Sequence, residues 1–128
     1  MEQRTREHLE TAERNHALAR WLVTIPTPSS QQLPVNDWAA VVAFYAAVHY
    51  VNAYLWEQAR LEPRDHGERS RYVRTDIVLR RCRAAYGRLR DEGYKARYTR
   101  AYRLPLQRAQ NLVNRDLADV EAVVRAAL

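Results

Sequence analysis

The chain has 128 residues, a formal charge of +6, one Cys, three Gly and five Pro. That is one domain's length, long enough to bury a core without a metal or disulfide. The lone Cys82 excludes a disulfide framework and a Cys-based zinc site, and scarce Gly and Pro against abundant Ala, Leu, Arg and Glu exclude a turn-rich sheet protein. An all-α domain spanning 1–128 is predicted, an antiparallel up-and-down bundle of four to five helices.

A first helix is predicted from about Glu2 to Ile25. Leu9, Ala12, His16, Ala19 and Val23 trace one stripe, and Leu18, Trp21, Leu22 and Ile25 widen it towards the C-terminal end. The segment opens with alternating charge and lacks the apolar stretch of a secretory signal, so a cytoplasmic location is expected. Pro26 to Asn36 holds three Pro and no periodicity, which predicts a loop that lets the next helix double back, capped by Asn36 or Asp37.

Trp38 to Trp56 is the stretch the rest must cover, because only His49 and Asn52 are clearly polar in 19 residues. Apolar residues there leave no polar stripe, as in the inner helix of a bundle. A membrane span is the rival reading, and interior Tyr45, Tyr50, Tyr54, His49 and Asn52, with amphipathic helices elsewhere that need a partner, argue against it. His49 reads as a core histidine bonded across the bundle.

This helix should end near Ala59 or Arg60. Asp65 and Glu68 have capping-box spacing for a short helix through about Arg74, and Thr75 or Asp76 can cap the next helical piece. Leu79, Cys82, Tyr86 and Leu89 predict an amphipathic helix with a wide basic face. Gly93 is expected to end it, so that Asp91 to Leu104, with Tyr94, Tyr98 and Tyr102 among Lys95, Arg97, Arg100 and Arg103, is a largely extended or looped connection. Pro105 suits the first turn of a last helix whose seam is Leu106, Ala109, Val113, Leu117, Val120, Val124 and Ala127.

Charge is regional. From Arg60 to Arg103 there are 14 basic and 6 acidic residues, and elsewhere 7 and 9. This asymmetry suits a polyanionic partner, most simply nucleic acid, although 20 of the 21 basic residues being Arg also fits a bias that places Arg wherever a solvated cation is tolerated. In Ala96 to Arg103, rings alternate with cations, a pattern for stacking on unpaired bases and contacting phosphates. Arg64, His66, Arg69, Lys95, Arg97, Tyr98, Arg100 and Tyr102 are the predicted nucleic-acid contacts. No serine-hydrolase elbow, P-loop or dinucleotide fingerprint is present, and no cofactor is indicated. Glu13-x-x-His16 matches one unit of a di-iron bundle, but the second unit is missing, so no metal is expected.

Together these segments resemble the HEPN superfamily (higher eukaryotes and prokaryotes nucleotide-binding). Phe44 to Leu55, FYAAVHYVNAYL, is similar to its aromatic, Ala-rich second helix. DHGERSRYV follows where members often carry a His, and Lys95 to Tyr98, KARY, is similar to the aromatic loop before the last helix. The resemblance covers about Asp37 to Val124. It implies a helical bundle, frequent homodimers, and a role around RNA or nucleotides, often in prokaryotic toxin-antitoxin and defence systems beside a small nucleotidyltransferase.

Catalytic members carry an Arg followed after four to six residues by a His, and Arg60 to His66 is the one literal match. It departs from the family by lying between the second helix and the short one, by spanning Pro63, and by lacking the polar residue after the Arg; no His follows His66. The resemblance thus implies a non-catalytic member that dimerises and binds RNA or a nucleotide-containing partner. Two alternatives stay open: a metal-independent endoribonuclease using His66 with Arg60, Arg64 or Arg69 and with His49 as a second group, and a protein-only adaptor or antitoxin.

Overall fold

The computed structural model describes residues 1–26 and 28–128, with the side chains of Ser30 and Gln31 left aside. Thr27, inside the loop predicted from Pro26 to Asn36, lies outside the described residues. The regular secondary structure of the described residues is all helical, with no strand. The long elements are α1 (Gln3–Leu22), α3 (Val35–Ala59), α5 (Arg83–Tyr98) and a last helix made of α6 (Leu106–Asn111), a π-helical turn (Leu112–Leu117) and α7 (Ala118–Ala126). Two short helices, α2 (Ser29–Gln32) and α4 (His66–Thr75), and a 3-10 turn (Leu79–Cys82) join them.

Side-chain pairs fix the topology. Thr5 meets Glu57 and His8 meets His49, so α1 and α3 are antiparallel. The Gly93 backbone approaches Ala40 while Tyr86 packs on Phe44, which makes α5 antiparallel to α3. Arg88 bonds Asp116, Arg108 bonds Glu92 and Arg125 bonds Glu13, so the last helix runs antiparallel to both α5 and α1. Tyr50 with Glu121 and Gln58 with Ala127 then place it parallel to α3. This is an up-down-up-down bundle.

The apolar sequence of α3 explains its place. Ala40, Ala43, Ala46, Ala47, Tyr50, Val51 and Ala53 are buried, and the small Ala side chains let neighbours approach from several directions. By length and composition α3 could cross a membrane, yet most of its apolar window is buried among the other helices. The predicted stripes are found too: Leu79, Cys82, Tyr86 and Leu89 are buried, as are Ala109, Val113, Leu117, Val120 and Val124. Full burial of each Leu or Val contributes about 1.5–3 kcal/mol.

The boundaries correct three expectations. Neither Asn36 nor Asp37 caps α3, which starts at Val35 behind Pro34; the Asp37 carboxylate instead accepts the Leu104 backbone N–H at 2.8 Å, tying down the chain before the last helix. Gly93 does not end a helix. It is buried within α5, and a Cβ there would stand 3.0 Å from Phe44 Cβ, so glycine suits the close approach of α5 to α3. Consequently Tyr94 and Tyr98 ride on a continuous helix and not on an extended loop; α5 stops at Tyr98, and the turn after it brings Ala101 to φ 60°. At the start of α4, Asp65 accepts the Glu68 N–H at 2.8 Å as its spacing predicts, while the Glu68 carboxylate takes Arg64. Asp76 accepts the N–H groups of Val78 and Leu79.

Candidate nucleic-acid interface

Continuation of α5 through Gly93 sets Arg90, Tyr94, Arg97 and Tyr98 three or four residues apart on one face, the spacing of helix neighbours. Val41, Phe44 and Tyr45 face them from α3, and His66 closes the end from the first residue of α4. These side chains, with Asp91 and Lys95, enclose an open cavity of about 600 Å³. Tyr94 and Tyr98 are each more than 60% exposed, with ring centroids 4.9 Å apart. The Arg97 guanidinium lies over Tyr98 and Tyr45 and donates to the Tyr45 hydroxyl. A smaller adjoining hollow shares Val41 and Arg97 and carries the aromatic surface on to Trp38, itself 55% exposed.

Behind His66 lies Arg69, 7% exposed. Its Nε donates to Asn52 Oδ1 at 2.9 Å and its Nη1 to His66 Nδ1 at 3.0 Å. Burial of a cation is costly without a counter-charge, yet among the described residues neither Arg69 nor Arg97 has a carboxylate within ion-pair distance. Packing of the His66 ring against Phe44, then the guanidinium charges of Arg69, Arg97 and Arg90, hold its pKa below the ordinary histidine value despite Asp65. A guanidinium can only donate. Neutral His66 must therefore accept at Nδ1 and carry its proton on Nε2, so it presents an N–H donor, where a general base would need a lone pair.

Predicted contacts divide accordingly. The cavity gathers His66, Lys95, Arg97 and Tyr98, with Arg69 directly behind. Arg60 is the left-handed cap of α3, bonded to the Trp56 and Glu57 carbonyls and paired with Glu2. Arg64 pairs with Glu68 in solvent. Arg100 is exposed beyond the end of α5. Tyr102 donates to buried Glu92, which also holds Arg108, and lines a different cavity with Arg103 and Leu104. Phe44, Tyr45, Arg90 and Tyr94 are absent from the sequence-based set; helical spacing through Gly93 is the signal that finds Arg90 and Tyr94, whereas Phe44 and Tyr45 join them through the packing of α3 on α5.

His49 opens elsewhere. It lines a shallow cavity of about 380 Å³ with Arg4, Glu7, His8, Thr11 and Glu62, none of which reaches the His66 cavity. His8 Nε2 stands 3.4 Å from Glu62, and its Nδ1 is 3.1 Å from His49 Nδ1. With Glu62 accepting the His8 proton, His49 donates at Nδ1. Burial first, with His8 and Arg69 adding, lowers the His49 pKa. The two histidines that could form an acid-base pair thus serve separate cavities. The Glu13-x-x-His16 unit is also explained: buried His16 bonds the Tyr50 hydroxyl at 3.0 Å, Tyr50 donates to Glu121, and Arg125 ties Glu121 to Glu13. Among the described residues no three His, Cys, Asp or Glu are grouped to hold a metal ion.

Comparison with protein-family models, curated proteins and solved structures gave no match.

Proposed function

We propose that this chain is a HEPN-like helical domain that binds single-stranded RNA, or a nucleotide-containing partner, without cleaving it. The observation that carries the reading is the His66 cavity, where exposed rings line one groove between α3 and α5 together with Arg97, which has no carboxylate partner among the described residues, and with Arg90 and Lys95, each within 4 Å of one carboxylate. Rings stack on unpaired bases of any sequence, and cations gain from counterion release at phosphates. Tyr94, Tyr98 and Trp38 offer the stacking surfaces; Arg90, Lys95 and Arg97 offer the charge.

The His66 tautomer supports the reading without cleavage. Metal-independent cleavage of RNA needs a group that takes a proton near neutral pH, and His66 offers only an N–H. His49 has the free lone pair but faces the other cavity. The domain is proposed to act in the cytoplasm as a homodimer, in a toxin-antitoxin or defence setting beside a small nucleotidyltransferase. Most of the apolar surface of α3 and the last helix is covered within the chain; exposed Leu18 and Trp21 on α1 offer an apolar surface for a second copy.

Gel retardation of labelled single-stranded RNA in chelator tests both halves. Binding that weakens steeply as salt rises, with the RNA left intact, is the expected result. No retardation at low salt overturns the binding reading. Cleavage lost in His66→Ala but kept in His49→Ala establishes the nuclease instead, and retardation absent alongside a stable protein complex favours the protein-only adaptor.

A further inference from the structure

We infer that the His66 end of the groove is a subsite for a terminal phosphate, a phosphate monoester at the end of an RNA strand, in preference to the internal phosphodiesters. This rests on the RNA-binding reading and deepens it. Around that end stand four cations, Arg69, Arg90, Lys95 and Arg97, against the carboxylates of Asp65, Asp91 and Glu92, the last 3.9 Å from Lys95 Nζ and shared with Arg108. An internal phosphodiester brings one negative charge and two free oxygens. A terminal monoester brings close to two charges at neutral pH and three strong acceptor oxygens.

Donors match that larger demand. His66 offers Nε2–H, because Arg69 occupies Nδ1. Arg97 commits one Nη to the Tyr45 hydroxyl, leaving its other N–H groups, and Arg90 gives its Nη1 to Ser70 while its Nη2 is only 3.6 Å from Asp91. Behind them the buried Arg69 charge, held by Asn52 and His66 beside the Tyr86 hydroxyl with no carboxylate in ion-pair distance among the described residues, favours the dianion without touching it. A last nucleotide could then lay its base on the Tyr94 and Tyr98 rings, while the strand leaves along Val41 towards Trp38. The cavity, at about 600 Å³, has the size of a small-ligand site.

The test uses the whole chain and three RNAs of one sequence, bearing a 5′-phosphate, a 3′-phosphate or hydroxyls at both ends. One phosphorylated RNA should bind at least tenfold more tightly than the hydroxyl RNA, and which one assigns the polarity of the strand. His66→Phe keeps a ring on Phe44 but removes the donor, and should reduce that gap below threefold; Arg80→Ala, exposed and outside the groove, should leave the gap unchanged. Equal affinity for all three RNAs overturns the subsite while the RNA-binding reading stands. Failure of all three to bind overturns both. A free nucleoside monophosphate that binds as tightly as the phosphorylated RNA would assign the cavity to mononucleotides and overturn the strand-end preference.

Discussion

On the flank of α3 that meets α1 and α7, cations meet carboxylates: Arg4 holds Glu62 at 2.9 Å, and Arg125 holds Glu13 and Glu121 at 2.7 and 3.0 Å. On the flank that meets α4 and α5, Arg69 and Arg97 are bonded to Asn52, His66 and Tyr45, all neutral. On the first flank these carboxylates answer the cations, Arg125 tying α7 to α1, and the polar groups serve the fold. The charge of Arg97, which no carboxylate answers among the described residues, is available to something outside the chain. Position within one small bundle therefore separates residues of the same type into structural and binding roles.

The strongest way to break this contrast is to move α5. Gly93→Val puts side-chain atoms where Phe44 already stands, and should cost about 2–3 kcal/mol by overpacking while also displacing the groove wall. Urea unfolding and RNA retardation should fail together. Tyr50→Phe acts only on the first flank. It removes the hydroxyl between His16 and Glu121, leaves a buried imidazole without its partner, and should cost about 2 kcal/mol of stability with RNA affinity unchanged. A matching loss of RNA binding would show the flanks to be coupled.

Tyr98→Ala acts only on the second flank. Loss of one stacking ring should weaken RNA binding by about 1.5 kcal/mol with the salt slope preserved and the unfolding midpoint little changed. Arg97→Gln should weaken it by about 1 kcal/mol and lower the salt slope by about one. If both variants changed affinity through the salt slope alone, the rings would not be stacking on bases.

The smallest expected effect is that of pH. Burial lowers the pKa values of His8, His16 and His49 from 6.5, so the unfolded chain takes up protons before the folded one does. Their contribution to stability should be complete above about pH 6.5 and decline as pH falls from there through the lowered folded values. Unfolding midpoints measured from pH 7.5 to 5 should show this decline, and Tyr50→Phe should alter its steepness.

What the chain made legible was local periodicity. The buried run of α3, the Asp65 cap of α4 and the seam of the last helix all follow from neighbours three or four residues apart. The groove was half legible: Lys95, Arg97 and Tyr98 are conspicuous in sequence, whereas Phe44 and Tyr45 looked like core on an apolar helix. Gly93 misdirected the reading because its helix-ending tendency is worth about 1 kcal/mol, less than the packing it permits against Phe44. The pairing of His8 with His49, 41 residues apart, and the role of Tyr102 as an anchor on Glu92 are tertiary facts with no local signature.

The π-helical turn from Leu112 to Leu117 has an implication for how the gene can change length. A π turn accommodates one residue more than the α-helix it interrupts, and Asn114 and Arg115 within it are exposed. Deleting either would let the turn tighten and put the Leu117 side chain three positions after Val113, still a helical interval that faces the core. A single-codon deletion there should be absorbed, whereas the same deletion within α3 would rotate every later side chain of that helix by about 100° out of its place.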